Sequence, residues 1–114
     1  MSDEIKNKSN EHEYIFIYTT FPTKKSVFKI SEKLIVKKLV VCANIRQHTS
    51  VYSWNGRIYR EKEYGVYFKT RNDKWKAMEK VILKTHPYET PVIIKLNIDE
   101  YNKEFKKWVD DSLD

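Results

Sequence analysis

Glycine and proline are scarce, with two and three residues in a chain of 114. That excludes collagen-like and low-complexity classes and argues for long regular elements joined by few tight turns. A phosphate-cradling loop or a dinucleotide fingerprint needs several glycines close together, so neither can be built. There is one cysteine, Cys42, so no disulfide can form within the chain, and a reducing intracellular compartment is expected. No apolar run approaches the roughly 18 residues of a membrane span. Met1 to Glu13 lacks the apolar stretch of a secretory signal. The constellations of common enzymes are missing as well. There is no Ser-His-Asp order with elbow glycines and no H-E-x-x-H, so an enzyme is not expected.

What is present is a core. Hydrophobic residues make up 40% of the chain and aromatic ones 14%, at a length that suits one domain. The net charge is +6, from 22 Lys and Arg against 16 Asp and Glu. It is unevenly spread: residues 1–13 carry −2 and residues 14–114 carry +8. The polar first stretch is expected to be a disordered lead and 14–114 a single domain. Lys24, Lys25, Lys29, Lys33, Lys37 and Lys38 fall in one segment. They are read as a solvated helix face, with an anion or nucleic-acid patch as the alternative.

Tyr14 to Thr20 is β-branched and aromatic throughout and reads as a buried central strand. Pro22 suits a helix start, with Thr20 or Thr23 as cap, and Val27, Ile30 and Leu34 recur at helical spacing. Leu39 to Ile45 is a second strand, parallel to the first. His48 to Trp54 continues extended, and Asn55-Gly56 is the strongest hairpin signal in the chain. Arg57 to Thr70 returns as a long strand, with a bend or bulge expected at Gly65. Asn72 or Asp73 caps a second helix carrying Trp75, Met78, Ile82 and Thr85, and His86-Pro87 stops it. Val92 to Ile98 is the fourth strand and Tyr101 to Leu113 a last helix.

The order β-α-β-β-α-β predicts a ferredoxin-like α+β fold, an antiparallel sheet with two helices on one face and an extra terminal helix. Its other face needs a cover: the terminal helix, another subunit or a ligand. The hairpin from about 39 to 70 is longer than such a sheet requires, and its unpaired edges predict an oligomer.

Several segments, in this order and spacing, resemble the CutA family of divalent-cation tolerance proteins. They are Cys42-Ala43-Asn44-Ile45, Ser50-Val51-Tyr52-Ser53-Trp54-Asn55-Gly56, Glu61 with Glu63, Phe68-Lys69-Thr70, His86-Pro87-Tyr88-Glu89-Thr90-Pro91 and Tyr101 with Trp108. The resemblance spans about 14–113. It implies a homotrimer of PII-like architecture, a cytoplasmic location, tolerance of copper and other divalent metals, and weak binding of such ions or a small ligand in clefts between subunits. Where some relatives carry a cysteine on the first strand, Tyr18 stands here, a poor copper ligand.

Metal donors that could converge are His86 and Glu89, three residues apart in a proline-stiffened turn, with His48, Glu61, Glu63 and, less readily, Cys42 as further candidates. Each also has a structural role open to it, His86 at a helix end and Cys42 as a small hydrophobe in a strand. Lys69, Glu61 and Tyr88 are candidates for a ligand cleft, and Tyr52, Trp54 and Tyr64 for the trimer interface. No cofactor is required, and neither nucleic acid nor a membrane is expected as partner. The alternative is a trimeric scaffold or signalling protein with a protein partner. The same element order is also that of an RNA-recognition module, but Glu63 stands where its aromatic strand wants a glycine or a cation.

Overall fold

A computed structural model describes residues 12–114. The expected lead lies outside the described residues except for its last two positions. There the Glu13 carbonyl accepts from the Asn72 N–H at 2.8 Å.

The aromatic and β-branched opening forms β1, Tyr14–Phe21. Its alternation buries Ile15, Ile17 and Thr19 on one face and turns Phe16, Tyr18 and Thr20 to the other. Helix α1 spans Lys24–Val36, and Thr23 caps it by accepting from the Ser26 N–H at 3.0 Å. The helix ends where Lys38 enters the left-handed region at φ 57°. The Leu39 N–H then reaches back to the Leu34 carbonyl and the Lys38 N–H to that of Ile35, the paired bonds of a Schellman cap. That turn consumes Lys37 to Leu39, so β2 does not begin at Leu39 as expected. It runs Cys42–Trp54.

Asn55 and Gly56, at φ 51° and 75°, turn the chain into β3, Arg57–Arg71. The β2–β3 register runs unbroken from Cys42↔Lys69 to Trp54↔Arg57, so the bulge expected at Gly65 is absent. Gly65 answers a different need. A Cβ there would stand 2.9 Å from His48 Cε1 and 3.1 Å from the Tyr18 hydroxyl. Asn72–Lys74 is a 3-10 turn leading into α2, Trp75–Thr85. Neither Asn72 nor Asp73 caps that helix; Asp73 instead holds Arg71 at 3.0 Å. Strand β4, Ile93–Asn97, is shorter than expected, and α3 spans Lys103–Leu113 with Asn102 as its cap.

The sheet order is β2-β3-β1-β4. β1 pairs antiparallel with both β3 and β4, and β2 with β3. β1 and β2 are therefore parallel but separated by β3, the ferredoxin-like arrangement. Val27, Ile30 and Leu34 of α1 and Met78 and Ile82 of α2 bury one sheet face, against Ile15, Ile17, Val66 and Phe68. On the opposite face α3 covers only the end at Tyr14, through Val109 and Leu113. The Tyr14 hydroxyl donates to Asp110 at 2.8 Å and accepts from Lys106 Nζ at 2.9 Å. Burial pushes this phenol up to about 12; Lys106 opposes the shift and Asp110 and Glu13 add to it. Arg71 ties the same corner, reaching Asp110 at 3.2 Å and Asp114 at 2.9 Å. The rest of this face stays open, with Tyr67, Ile94 and Leu96 each at least 40% exposed.

β1 pairs with β3 only from Tyr64 to Arg71. Among the described residues Arg57 to Glu63 pairs with His48 to Trp54 alone and projects as a two-stranded arm. The radius of gyration is accordingly 16.1 Å, against about 13 Å for a compact chain of this length.

Lys38 adopts a conformation that costs an L-residue with a side chain about 1 kcal/mol or more. Lys38→Gly is expected to raise the unfolding free energy by about 0.5–1 kcal/mol. Denaturant titration measures this; an unchanged or lower midpoint contradicts the cap assignment.

Candidate functional site

The arm leaves the sheet beside the loop that follows α2, and polar side chains meet there. His48 and Glu63 are paired across β2 and β3, and Ser50 lies two residues along the same face. The loop supplies His86 and Tyr88, placed by Pro87, which cannot continue the helix. The Glu63 carboxylate accepts from the Ser50 hydroxyl at 2.6 Å and from the Tyr88 hydroxyl at 2.7 Å. His48 Nε2 lies 3.1 Å from Ser50 Oγ. Since the Ser50 proton goes to Glu63, His48 is the donor in that contact. Burial alone would raise the Glu63 carboxyl. Donation from Ser50, Tyr88 and Thr20, with the His48 charge, outweighs it and holds the group below its ordinary range. The Tyr88 phenol is pushed up by burial and by Glu63.

His86 is committed on both nitrogens. Its Nδ1 accepts from the Tyr88 N–H at 3.0 Å, so Nε2 carries the proton and donates to the Thr20 carbonyl at 2.7 Å. Its ring stacks on Phe21 with centroids 4.3 Å apart. Burial lowers its pKa, with the Thr20 carbonyl and Glu63 opposing. The expected metal role of His86 therefore meets an obstacle in this fold: no lone pair is left for an ion. Glu89 is exposed and joins no ion pair among the described residues. Nor do the described residues hold any group of three His, Cys, Asp or Glu that could cage a metal. The described donors of one protomer do not fit a tight centre.

The other expected residues are dispersed. Cys42 is half-buried opposite Lys69. The alternation places both on the open sheet face, not in the helix-covered core, because Ala43 and Phe68 take the core side. Tyr88 is in the Glu63 cluster, while Glu61 lies out on the arm, accepting from the Tyr52 hydroxyl. Tyr52 stacks on Tyr59, and Trp54 is 63% exposed at the arm's tip. Tyr64, expected at an interface, is half-buried and packs against the protomer's own core within the single chain. Ser50 and Thr20 were not anticipated as partners of Glu63; only the strand register and the loop's return bring them there. Beside the cluster, Tyr18, Asn44, Arg46, His48, Gly65 and Tyr67 line an open hollow of about 530 Å³ on the uncovered face.

These features define a small ferredoxin-like α+β protein with a projecting hairpin arm and a saturated polar cluster at the arm's root. The chain belongs to the CutA1 divalent ion tolerance family, whose model matches residues 15–112. It is 41% identical to the divalent-cation tolerance protein CutA of Thermococcus kodakarensis, over 85% of this chain and 93% of that one. With the CutA of Pyrococcus horikoshii the identity is 40%, covering 83% and 93%. Among solved structures, CutA1 of Ehrlichia chaffeensis superposes with a TM-score of 0.86 at 36% identity, covering 90% of this chain and 97% of that one. CutA of Archaeoglobus fulgidus, described as periplasmic, gives 0.85 at 33% identity, covering 89% and 99%.

Acid should loosen the cluster. The folded state keeps His86 neutral, so its stabilising contribution is lost as pH falls below the ordinary histidine value of 6.5. Glu63, also depressed, loses its contribution lower, as pH falls below 4.5 and through its folded value. Melting temperatures followed from about pH 8 down to about pH 2 should fall in two stages, with the upper stage absent in His86→Gln. At neutral pH His86→Ala should cost about 2–4 kcal/mol, from the lost stack and hydrogen bonds. A stability that rises on acidification contradicts these assignments.

Proposed function

We propose that this chain serves divalent-cation tolerance as a homotrimer of PII-like architecture, taking cations or a small ligand weakly in the clefts between copies. One observation carries the reading. The arm and the open sheet face leave apolar and aromatic groups uncovered in a single protomer. Val51, Trp54 and Ile58 are 63%, 63% and 71% exposed, on an arm whose outer edges have no partner among the described residues. Such edges and surfaces are satisfied by other copies of the same chain. Lys69 stands eight residues along β3 from Glu61, so a cleft that uses it together with Glu61 and Tyr88 needs a neighbour. Exposed Glu61 and Glu89 then offer carboxylate oxygens suited to loosely held divalent ions.

The reading is non-catalytic. Glu63 and His86, the groups best placed for acid–base work, are both bound up in hydrogen bonds within the fold. It also keeps the cytoplasm as location, because the one thiol, Cys42, is unpaired.

Light scattering of the purified chain should give three times the 13.8 kDa protomer mass. The pair Trp54→Asp and Ile58→Asp should shift it to smaller species with the circular dichroism retained. A monomeric wild-type chain overturns the reading.

Calorimetric titration with Cu(II) or Zn(II) should show weak binding, reduced in Glu61→Gln with Glu89→Gln and unchanged in His86→Gln. Binding abolished by His86→Gln would return that ring to the metal.

A further inference from the structure

The positive charge of the fold is gathered on its helical layer. Lys24 to Lys38 holds six lysines against Glu32 alone, and Lys74 to Lys84 holds four against Glu79 alone. That layer carries +8, the whole net charge of residues 14–114, so the rest of the fold is neutral. On α1, Lys25, Lys29 and Lys33 recur every four residues, continued by Lys37 at its cap. On α2 the same spacing joins Lys76, Lys80 and Lys84. Each set forms a ridge along its helix. The two helices pack side by side on one sheet face, so the ridges lie together. All seven lysines are exposed, and none pairs with an acid among the described residues.

This arrangement works against the helices that carry it. Lysines four apart repel. Lys24 and Lys25 stand in the first turn of α1, where no acid is present and the helix dipole disfavours cations. A surface shaped for solubility alone would mix the signs. Apolar side chains interrupt the same ridges. Val36 comes seven residues after Lys29 and is 82% exposed; Leu83 comes seven after Lys76 and is 56% exposed.

We propose that the α1–α2 face docks on an anionic phospholipid surface. The charge on the lysines is complementary to acidic headgroups, and their flexible stems let the ammonium groups spread among them. Val36 and Leu83 would enter the boundary beneath the headgroups. A nucleic acid fits this layer less well. The layer has no arginine for bidentate phosphate contacts, and its one exposed aromatic ring, Phe28, is covered by Lys24 Nζ at 5.9 Å. Among the described residues no helix is long and apolar enough to cross a membrane, so the contact is peripheral. It uses the side of the sheet opposite the face assigned to other copies.

Co-sedimentation of the full chain with vesicles at near-physiological salt tests this. Phosphatidylcholine vesicles containing phosphatidylserine should carry the protein down; pure phosphatidylcholine vesicles should not. Exchanging Lys25, Lys29, Lys76 and Lys80 together for Gln should weaken partitioning by on the order of a thousandfold. Val36→Ser with Leu83→Ser should weaken it several-fold, and Lys103→Gln with Lys107→Gln on α3 should leave it unchanged. Circular dichroism verifies the fold of each variant. No partitioning onto the phosphatidylserine vesicles, or equal partitioning by the fourfold variant, overturns the proposal. So does tighter binding to labelled single-stranded DNA than to the vesicles.

Discussion

The unbroken antiparallel pairing of β2 with β3 is the constraint on which the rest of the structure depends. One register serves two environments. From Cys42↔Lys69 to Gln47↔Tyr64 the strands belong to the four-stranded sheet, and from His48↔Glu63 outward they have, among the described residues, only each other. A slip of one residue would turn Val66 and Phe68 out of the core and carry Glu63 away from Ser50. The same register brings His48 close over Gly65, where only a residue without a Cβ leaves room for the ring.

Because β1 ends at Phe21 opposite Tyr64, the sheet stops where the arm begins. The polar cluster sits at that step. Glu63 is the first arm residue beyond the β1 pairing, and the loop carrying His86 and Tyr88 closes over it. The cluster thus braces the arm against the body. Its hydrogen bonds are made in a half-buried place where an unpaired carboxylate would be costly. A family known by divalent-cation tolerance here presents a histidine and a carboxylate that support the hairpin. The more available carboxylates, Glu61 and Glu89, are exposed.

The two sides of the sheet differ in kind. One is sealed by α1 and α2, whose outer surface is lysine-rich. The other is sealed by α3 only around Tyr14, where Arg71, Asp110 and Lys106 bind the helix end to the sheet. The lysine excess therefore lies on the face opposite the uncovered sheet surface, so the proposed contact with like copies and the proposed contact with an anionic surface need not compete.

Much of the fold was legible in residue order. The β-branched run at Tyr14, the helical recurrence of Val27, Ile30 and Leu34, and Asn55-Gly56 each follow local rules, and each formed the element those rules require. Boundaries were less legible. Leu39 was claimed by a helix cap and Asp73 by Arg71, and in each case a competing hydrogen bond decided. Of the site, His86 and Tyr88 could be picked out as a stiffened turn and Glu63 as a candidate carboxylate. Their joining to Ser50 and Thr20 could not, because those residues lie far apart in the chain. Periodicity and turn chemistry act over a few residues, and that range determined the elements, their order and the excess of lysine. Which nitrogen of His86 is taken, which face Cys42 occupies and how two lysine ridges come to adjoin were decided by tertiary packing, since each depends on contacts between residues distant in the chain.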